Sequence, residues 1–338
     1  MHKKSMLIPV SVAVLFILGL LLMFNMTPDA RYVTSDSPAA PETTSPVVQA
    51  GAPLETTPNI TEPEPTAPPL PPDTSLPEGK AITAHHAFAY DTSDNRLCFY
   101  QGDPDGVVYP ASITKLITAY VVQKYMSLDD KVTVGEEITW IDPESSVAEL
   151  KQGDSVSVRL LIYGLMLPSG NDAAYTLAVA CGRMIAEDPG LDRKMAYGLF
   201  VDEMNAEARL LGMQNTHFSN PDGNHADDHY TSINDLINLT KAVMDNELIM
   251  TCAKTVSLDV TAEFGRALVW KNSNLLLREG DYYTESAVGM KTGSTSAAGA
   301  CLISLFRKDD GFLMVGVLGS SDNQNRYLDT LTLYQLYC

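Results

Sequence analysis

Pro110-Ala111-Ser112-Ile113-Thr114-Lys115-Leu116-Ile117-Thr118-Ala119 is the stretch from which the rest of the chain can be read. Leu116, Ile117, Tyr120, Val121 and Tyr125 recur at three- and four-residue spacing, which predicts a buried helix starting near Ser112. Upstream, two apolar runs between residues 84 and 99 flank the turn cluster Asp91-Thr92-Ser93-Asp94-Asn95 and predict a β-hairpin. Downstream, helices are predicted over 154–167, 172–185, 196–211 and 232–244, the last opened by an acidic capping box from Ser232 to Asp235. Near residue 256 the pattern changes to short β-rich runs over 256–260, 266–271, 287–291, 300–306 and 312–319, followed by a helix over 323–337. Strands at both ends bracket a helical middle. That order predicts an α/β chain of the α+β kind: an antiparallel sheet closed from two sequence-distant pieces, flanked by helices, with an inserted all-helical subdomain.

The 338 residues, 45% hydrophobic and 19% charged, suffice for a normal globular core. The formal charge of −19 argues against nucleic acid and against adsorption to anionic lipid by charge. Membrane association must then be hydrophobic, and the start of the chain offers it. His2, Lys3 and Lys4 precede an apolar run from Met6 to Met26, which as a helix spans about 31 Å. A signal peptide has a similar charged start, but its apolar part is usually about 7–15 residues, and no small-x-small cleavage pattern follows Met23. Residues 1–26 therefore read as an uncleaved signal anchor, single-pass, with the amino end in the cytoplasm and the remainder outside. Residues 27–80 carry thirteen of the twenty prolines and read as a disordered linker, reaching from roughly 40 Å if coiled to roughly 170 Å if extended. The folded part is expected over 81–338. Its five cysteines include no C-x-x-C pair, and they read as mostly buried or idle thiols, with a bridge between two of them left open.

Three short strings carry the chemistry: Ser112-Ile113-Thr114-Lys115, Ser169-Gly170-Asn171 and Lys291-Thr292-Gly293. Ser112 at a helix start meets free amides and the positive dipole end, which favour a developing oxyanion. Lys115 lies one turn on, and can act as a base only if burial or a neighbouring cation, with Lys291 the candidate, lowers its pKa. Ser169 sits in a tight Pro-Ser-Gly-Asn loop, where its hydroxyl could pass a proton between Lys115 and a leaving amine, while the Asn171 amide could grip a peptide group. Lys291 and Thr292, at the end of a β-rich run closed by Gly293, offer donors to an anion where a substrate backbone can approach closely. Each string alone has an ordinary reading as surface lysine, turn or strand exit. The ordered set does not.

The set resembles the penicillin-recognising serine enzymes, the penicillin-binding proteins and serine β-lactamases. Asn220-Pro221-Asp222-Gly223, His229-Tyr230-Thr231-Ser232, Lys271-Asn272-Ser273-Asn274, Gly289-Met290-Lys291-Thr292-Gly293-Ser294-Thr295 and Val317-Leu318-Gly319 narrow the resemblance to the D-alanyl-D-alanine carboxypeptidases, peptidase family S11. It implies a β-lactamase/transpeptidase-like fold and hydrolysis of a peptidoglycan stem peptide ending in D-Ala-D-Ala, with β-lactam antibiotics as inhibitors. It further implies Ser112 as nucleophile, Lys115 as base, and Ser169 and Asn171 completing the inner site. The amides of Ser112 and Ser294 would form the oxyanion hole, and Lys291, Thr292 and Arg326 would receive the terminal carboxylate. No cofactor or metal is implied.

Two departures from familiar members are noted. Familiar members add a carboxy-terminal β-rich domain and an amphipathic anchoring helix, whereas this sequence ends at Cys338 just after the expected catalytic fold, so tethering is expected from the amino end. Residues 81–338 are also acidic, with 19 basic against 34 acidic residues, yet a local cationic pocket outweighs screened distant charge. His225, Asp227, Asp228 and His229 invite a metal reading, but lack the helical H-E-x-x-H context. A serine β-lactamase would need a deacylating acid, and neither Glu187 nor Glu203 carries a recognisable signature for it. A catalytically idle wall-binding protein would have no need of the intact Ser112, Lys115, Ser169, Asn171 and Lys291.

Overall fold

Strands near the middle of the sheet are apolar at nearly every position because both faces of the sheet are covered. The structure, a computed structural model, describes residues 71–338. The expected anchor over 1–26 and most of the expected linker over 27–80 lie outside those residues. Among the described residues no helix is long and apolar enough to cross a membrane.

In chain order the elements are β1 (His86–Asp91), β2 (Arg96–Gln101), a 3-10 turn (Ala111–Thr114), α1 (Lys115–Tyr125), β3 (Lys131–Thr133), β4 (Ser155–Ser157), α2 (Val158–Met166) and α3 (Asn171–Ile185). There follow α4 (Arg193–Leu210), α5 (Ile233–Met244), α6 (Glu247–Lys254), β5 (Ser257–Asp259), α7 (Thr261–Phe264), β6 (Val269–Lys271), β7 (Ala287–Thr295), β8 (Gly299–Lys308), β9 (Gly311–Ser320) and α8 (Asn325–Tyr337). The main sheet runs β2-β1-β9-β8-β7, all antiparallel. The first hairpin thus joins the last three strands through β1 and β9, as the bracketing of a helical middle predicts.

Side chains alternate across this sheet with period two. Phe88, Ile303, Leu305, Met314 and Leu318 face the helical part and pack with Ile113, Leu116 and Ile117. Ala87, Ala89, Leu302, Phe306, Val315 and Val317 face the other way, onto Tyr327 and Leu333 of α8. Each fully buried Leu, Ile, Val or Phe here contributes about 1.5–3 kcal/mol. Helix α1 is buried nearly all round, with Leu116, Ile117, Ala119, Val121 and Val122 at zero exposure, which is the pattern of a central helix rather than a surface one.

Several expectations shift. The helix read from residue 154 starts at Val158, because Ser157 caps it by accepting from the Leu160 amide (3.2 Å). Residues 155–157 instead pair with 131–133 as a small ribbon. Ser232 caps α5 through the Asp235 amide (3.2 Å), but the box is not closed: the Asp235 carboxylate accepts from Asn215 N and Thr216 Oγ1. Strands β5 and β6 form a separate ribbon outside the main sheet. The run read as ending at Lys291 continues to Thr295, so Lys291-Thr292-Gly293 lies inside an edge strand rather than at its exit. Ahead of residue 81, Asp73 exchanges backbone hydrogen bonds with Cys98 and Tyr100 of β2. Cys98, Cys181, Cys252 and Cys301 are buried free thiols, and Cys338 is an exposed one.

One carboxylate ties the lead into β1 and the end of β9 to α8. Asp329 on α8 accepts from Thr83 N (2.9 Å), Thr83 Oγ1 (2.9 Å), Ala84 N (3.0 Å) and Ser320 Oγ (2.7 Å). Asp329→Ala would strand these donors at a buried site, so denaturant unfolding of the variant should show a loss of at least about 2 kcal/mol.

Candidate active site

Ser112 lies half-buried in the 3-10 turn that leads into α1, and Lys115 is the first residue of that helix. The spacing of three puts both on one side of the same turn, and Lys115 Nζ stands 2.8 Å from Ser112 Oγ. Two further acceptors fix the amine: Asn171 Oδ1 at 2.7 Å and the main-chain carbonyl of Asp222 at 2.6 Å. A neutral amine keeps two N–H groups for those two acceptors, so its lone pair is turned to the Ser112 hydroxyl. Lys115 has zero exposure, and burial lowers its pKa to about 8, against the opposing pull of Asp222 and Asp172. Lys291 is pushed the same way: burial first, then Lys115 and Arg326, hold its ammonium well below its usual range, and the repulsion between the two amines acts on both.

The second string is split between partners. Ser169 Oγ accepts from Lys291 Nζ (2.9 Å), whose other contact is Thr292 O (2.9 Å). No hydrogen bond joins Ser169 to Lys115, so the relay expected from Lys115 to Ser169 is replaced in the resting geometry by a Lys291–Ser169 contact. Asn171 spends its oxygen on Lys115, and among the described residues its Nδ2 has no partner, which leaves it for a ligand. Ser169, with φ of 62°, and Ala111, with φ of 48°, both hold left-handed backbone beside the reacting groups.

The third string closes the site from the sheet. Gly293 is pressed on the nucleophile's turn: a Cβ there would stand 2.9 Å from Ser112 N and 3.0 Å from Pro110 O. Gly223, with φ of +85°, is closer still, since a Cβ would fall 1.8 Å from Ala111 O. Thr292 shares a 2.6 Å hydrogen bond with Ser273 Oγ. Arg326 departs from expectation. Its guanidinium donates to Gly293 O (3.0 Å), Cys301 O (3.2 Å) and Asn323 Oδ1 (2.8 Å), bracing β7 and β8 instead of presenting a free fork.

A polar cleft of about 260 Å³ opens over these groups, lined by Ser112, Asn171, Ser294, Thr295, Asp222 and Gly223, with Asp142 and Glu144 also on its wall. Lys115, Ser169, Lys291 and Thr292 lie buried beside it. A larger hollow of about 380 Å³ beside Tyr163, Leu258 and Phe264 brings no nucleophile to a base. Glu203 lies on α4 and accepts from Tyr125, away from the cleft.

Three contributors escape a reading of side-chain motifs. Asp222 serves through a carbonyl. Asp172 accepts from the amides of Ala148 (2.7 Å), Leu150 (2.9 Å) and Ala173 (2.9 Å), strapping a loop over the start of α3. His229 is buried, with Nε2 2.8 Å from Thr114 Oγ1 and Nδ1 accepting from Ser219 N at 3.1 Å. Since Thr114 Oγ1 already donates to Ala111 O (2.8 Å), the network assigns the neutral Nε2–H tautomer. His225 instead faces Asp227 (3.7 Å) and the Tyr109 ring, so the two histidines do not converge.

Comparison with known proteins agrees with this arrangement. The D-alanyl-D-alanine carboxypeptidase family, peptidase family S11, matches residues 73–322. A D-alanyl-D-alanine carboxypeptidase of Streptomyces sp. strain K15 is 36% identical over 201 residues, covering 57% of this chain and 66% of the relative. The carboxypeptidase DacD of Escherichia coli is 33% identical over 233 residues, covering 64% of this chain and 53% of the relative. The chain thus spans between half and two thirds of these curated relatives. Among solved structures, the Streptomyces K15 DD-transpeptidase has a TM-score of 0.68 at 32% identity, covering 76% of this chain and 97% of its own. Penicillin-binding protein D2 from Listeria monocytogenes, in its cefotaxime-bound form, has a TM-score of 0.63 at 25% identity, covering 76% and 98%.

Two pH responses follow from the geometry. A neutral Lys115 amine can accept the Ser112 proton and an ammonium cannot, so modification of Ser112 by a serine-directed acylating probe should climb with pH and level off above about 8. Burial lowers the His229 pKa to about 4 from 6.5, so the neutral ring's contribution is complete above 6.5 and is lost as pH falls toward 4. Equilibrium unfolding between pH 7 and 4 should show a loss approaching about 3 kcal/mol from this group, and His229→Gln should flatten that slope.

Proposed function

The chain belongs to the D-alanyl-D-alanine carboxypeptidase family, peptidase family S11, and we propose that it removes the terminal D-alanine from peptidoglycan stem peptides. The observation that carries this reading is the Ser112–Lys115–Asn171 cluster, with its 2.8 and 2.7 Å contacts, beside an edge strand that bears Lys291. Among the described residues strand β7 has one side free of sheet partners, so an extended peptide can lie along it by main-chain hydrogen bonds.

In this reading Ser112 Oγ bonds to the carbonyl carbon between two D-alanines while its proton passes to Lys115 Nζ. The tetrahedral oxyanion sits between the amides of Ser112 and Ser294, which the close approach of Gly293 to Ser112 N brings near each other. The C–N bond then breaks, and the leaving amine takes a proton by way of Ser169 or Lys115. Water, activated by the same base, cleaves the acyl-enzyme and restores Ser112. Asn171 Nδ2 holds the substrate peptide group. Lys291 and Thr292 receive the terminal carboxylate, with Arg326 adding charge from behind the strand. The named ligand state of the Listeria neighbour supports acylation of Ser112 by β-lactams.

The anchor over residues 1–26 and the proline-rich linker would place this site outside a bacterial membrane, where its substrate is found. That location rests on the sequence pattern alone.

Labelled penicillin and a pentapeptide ending in D-Ala-D-Ala test the proposal directly. Wild type should form a covalent adduct and free D-alanine, Ser112→Ala should do neither, and Lys115→Ala should slow acylation about 100- to 10,000-fold. An amine acceptor in the assay separates hydrolysis from transfer. Rapid penicillin turnover with no D-alanine release would assign a β-lactamase instead.

A further inference from the structure

Two carboxylates are buried near Lys115, and they are solvated in different ways. Asp172 has three backbone amides on its oxygens, at 2.7, 2.9 and 2.9 Å. Asp222, only 2% exposed, has one long bond, from Asn224 N at 3.3 Å. Burial pushes the Asp222 carboxyl pKa up and the charge of Lys115 pulls it down, so with so little hydrogen bonding its ionised form depends on that cation. Its own carbonyl lies 2.6 Å from Lys115 Nζ, and the titratable groups whose charges reach the carboxylate are Lys115 from α1, Asp142 from the cleft wall, Tyr175 from α3 and Tyr197 from α4. Among them only Lys115 is a cation.

The main chain of the same residue is fixed with equal care. Asn220 Oδ1 accepts from Gly223 N (2.7 Å), closing a turn that is pressed against Ala111. This turn directs the Asp222 carbonyl at both Lys115 Nζ (2.6 Å) and Ser112 Oγ (3.4 Å).

We propose that Asp222 is a positioning residue for the base: its carbonyl seats Lys115 against Ser112, and its carboxylate supplies the negative charge that balances the lysine's. The inference rests on the reading of Lys115 as base. When Lys115 takes the Ser112 proton, the ammonium formed finds its counter-charge already in place, so no solvent need reorganise. Burial favours the neutral amine and Asp222 opposes it, which leaves the lysine able to exchange its proton within the range of the reaction. Lys115 is also faced by Asp172, whose carboxylate is already satisfied by backbone, and by Lys291 and His229, whose own protonation it disfavours.

The test is the isosteric variant Asp222→Asn in the full chain, which keeps the carbonyl and removes the charge. The rising limb of penicillin acylation against pH should move down by about one pH unit, and Asp172→Asn should move it less. A limb that stays put or moves up overturns the proposal, as does an equal or larger shift in Asp172→Asn. If Asp222→Asn does not fold, Lys115→Met decides. Without the lysine, Asp222 gains by taking a proton in the folded state, so the thermal midpoint of this variant, relative to wild type, should rise as pH is lowered from 8 to 5. Absence of that relative rise overturns the proposal. A wild-type chain that penicillin never acylates would defeat the functional reading, yet the thermal comparison would still decide the role of Asp222.

Discussion

The structure depends on one buried amine. Lys115 has no exposure to solvent, and isolating an ammonium in that way would cost several kcal/mol were its N–H groups left without acceptors. Three elements answer that demand. The nucleophile's turn brings Ser112, the start of α3 brings Asn171, and the 220–223 turn brings a carbonyl. Each belongs to a separate part of the fold. Around them, the first two turns of α1 are buried nearly all round, which keeps water from the amine whose proton affinity desolvation lowers.

How far this was legible in the sequence follows from what each contribution is made of. Ser112, Lys115, Ser169, Asn171, Lys291 and Thr292 act through side-chain chemistry that few other residue types supply, and their spacing along one turn or loop is local. The bracketing of helices by strands was likewise readable, since β1 and β9 are both apolar runs with turn signals beside them. Main-chain contributions leave no such signature. The Asp222 carbonyl could belong to any residue, and in the sequence only the glycine that closes Asn220-Pro221-Asp222-Gly223 hints at a tight turn that approaches something closely. Ser169 illustrates a different limit: its partner is Lys291, 122 residues away, and no local pattern distinguishes that from a contact with Lys115. Arg326 shows in the sequence only the chemistry of its fork, while the carbonyls it binds, of Gly293 and Cys301, lie 33 and 25 residues away. The pairing of β3 with β4 was hidden because three-residue ribbons have too few residues to show a period.

Backbone strain marks the same places. Ala111 precedes the nucleophile and Ser169 lies two residues before Asn171, and a left-handed conformation costs each about 1–3 kcal/mol. Such residues persist only where surrounding contacts over-determine them. At Ala111 those contacts are the Thr114 hydroxyl on its carbonyl and the backbone of Gly223 against it. At Ser169 they are Lys291 from β7 and the loop of residues 146–150 strapped by Asp172. The strain is therefore distributed so that sheet and helices must both be in place before either reacting group reaches its position.

The segment from residue 217 to 231 is what couples these demands. It has little regular structure, yet it supplies the Pro221 carbonyl to Thr118 (2.7 Å), the Asp222 carbonyl to Lys115 (2.6 Å) and the His229 ring to Thr114 (2.8 Å). Three positions of the turn and helix that carry Ser112 and Lys115, namely 114, 115 and 118, are thus fixed by a single loop. Because two of the three contacts are main-chain carbonyls, the loop can vary in side chains while keeping its path, provided Asn220 and Gly223 hold the turn. The exception is a side chain whose charge reaches the amine, and in this chain that is Asp222. A loop that positions by its backbone and tunes by one carboxylate separates the geometry of the nucleophile from the proton affinity of its base, so that either could change without loss of the other.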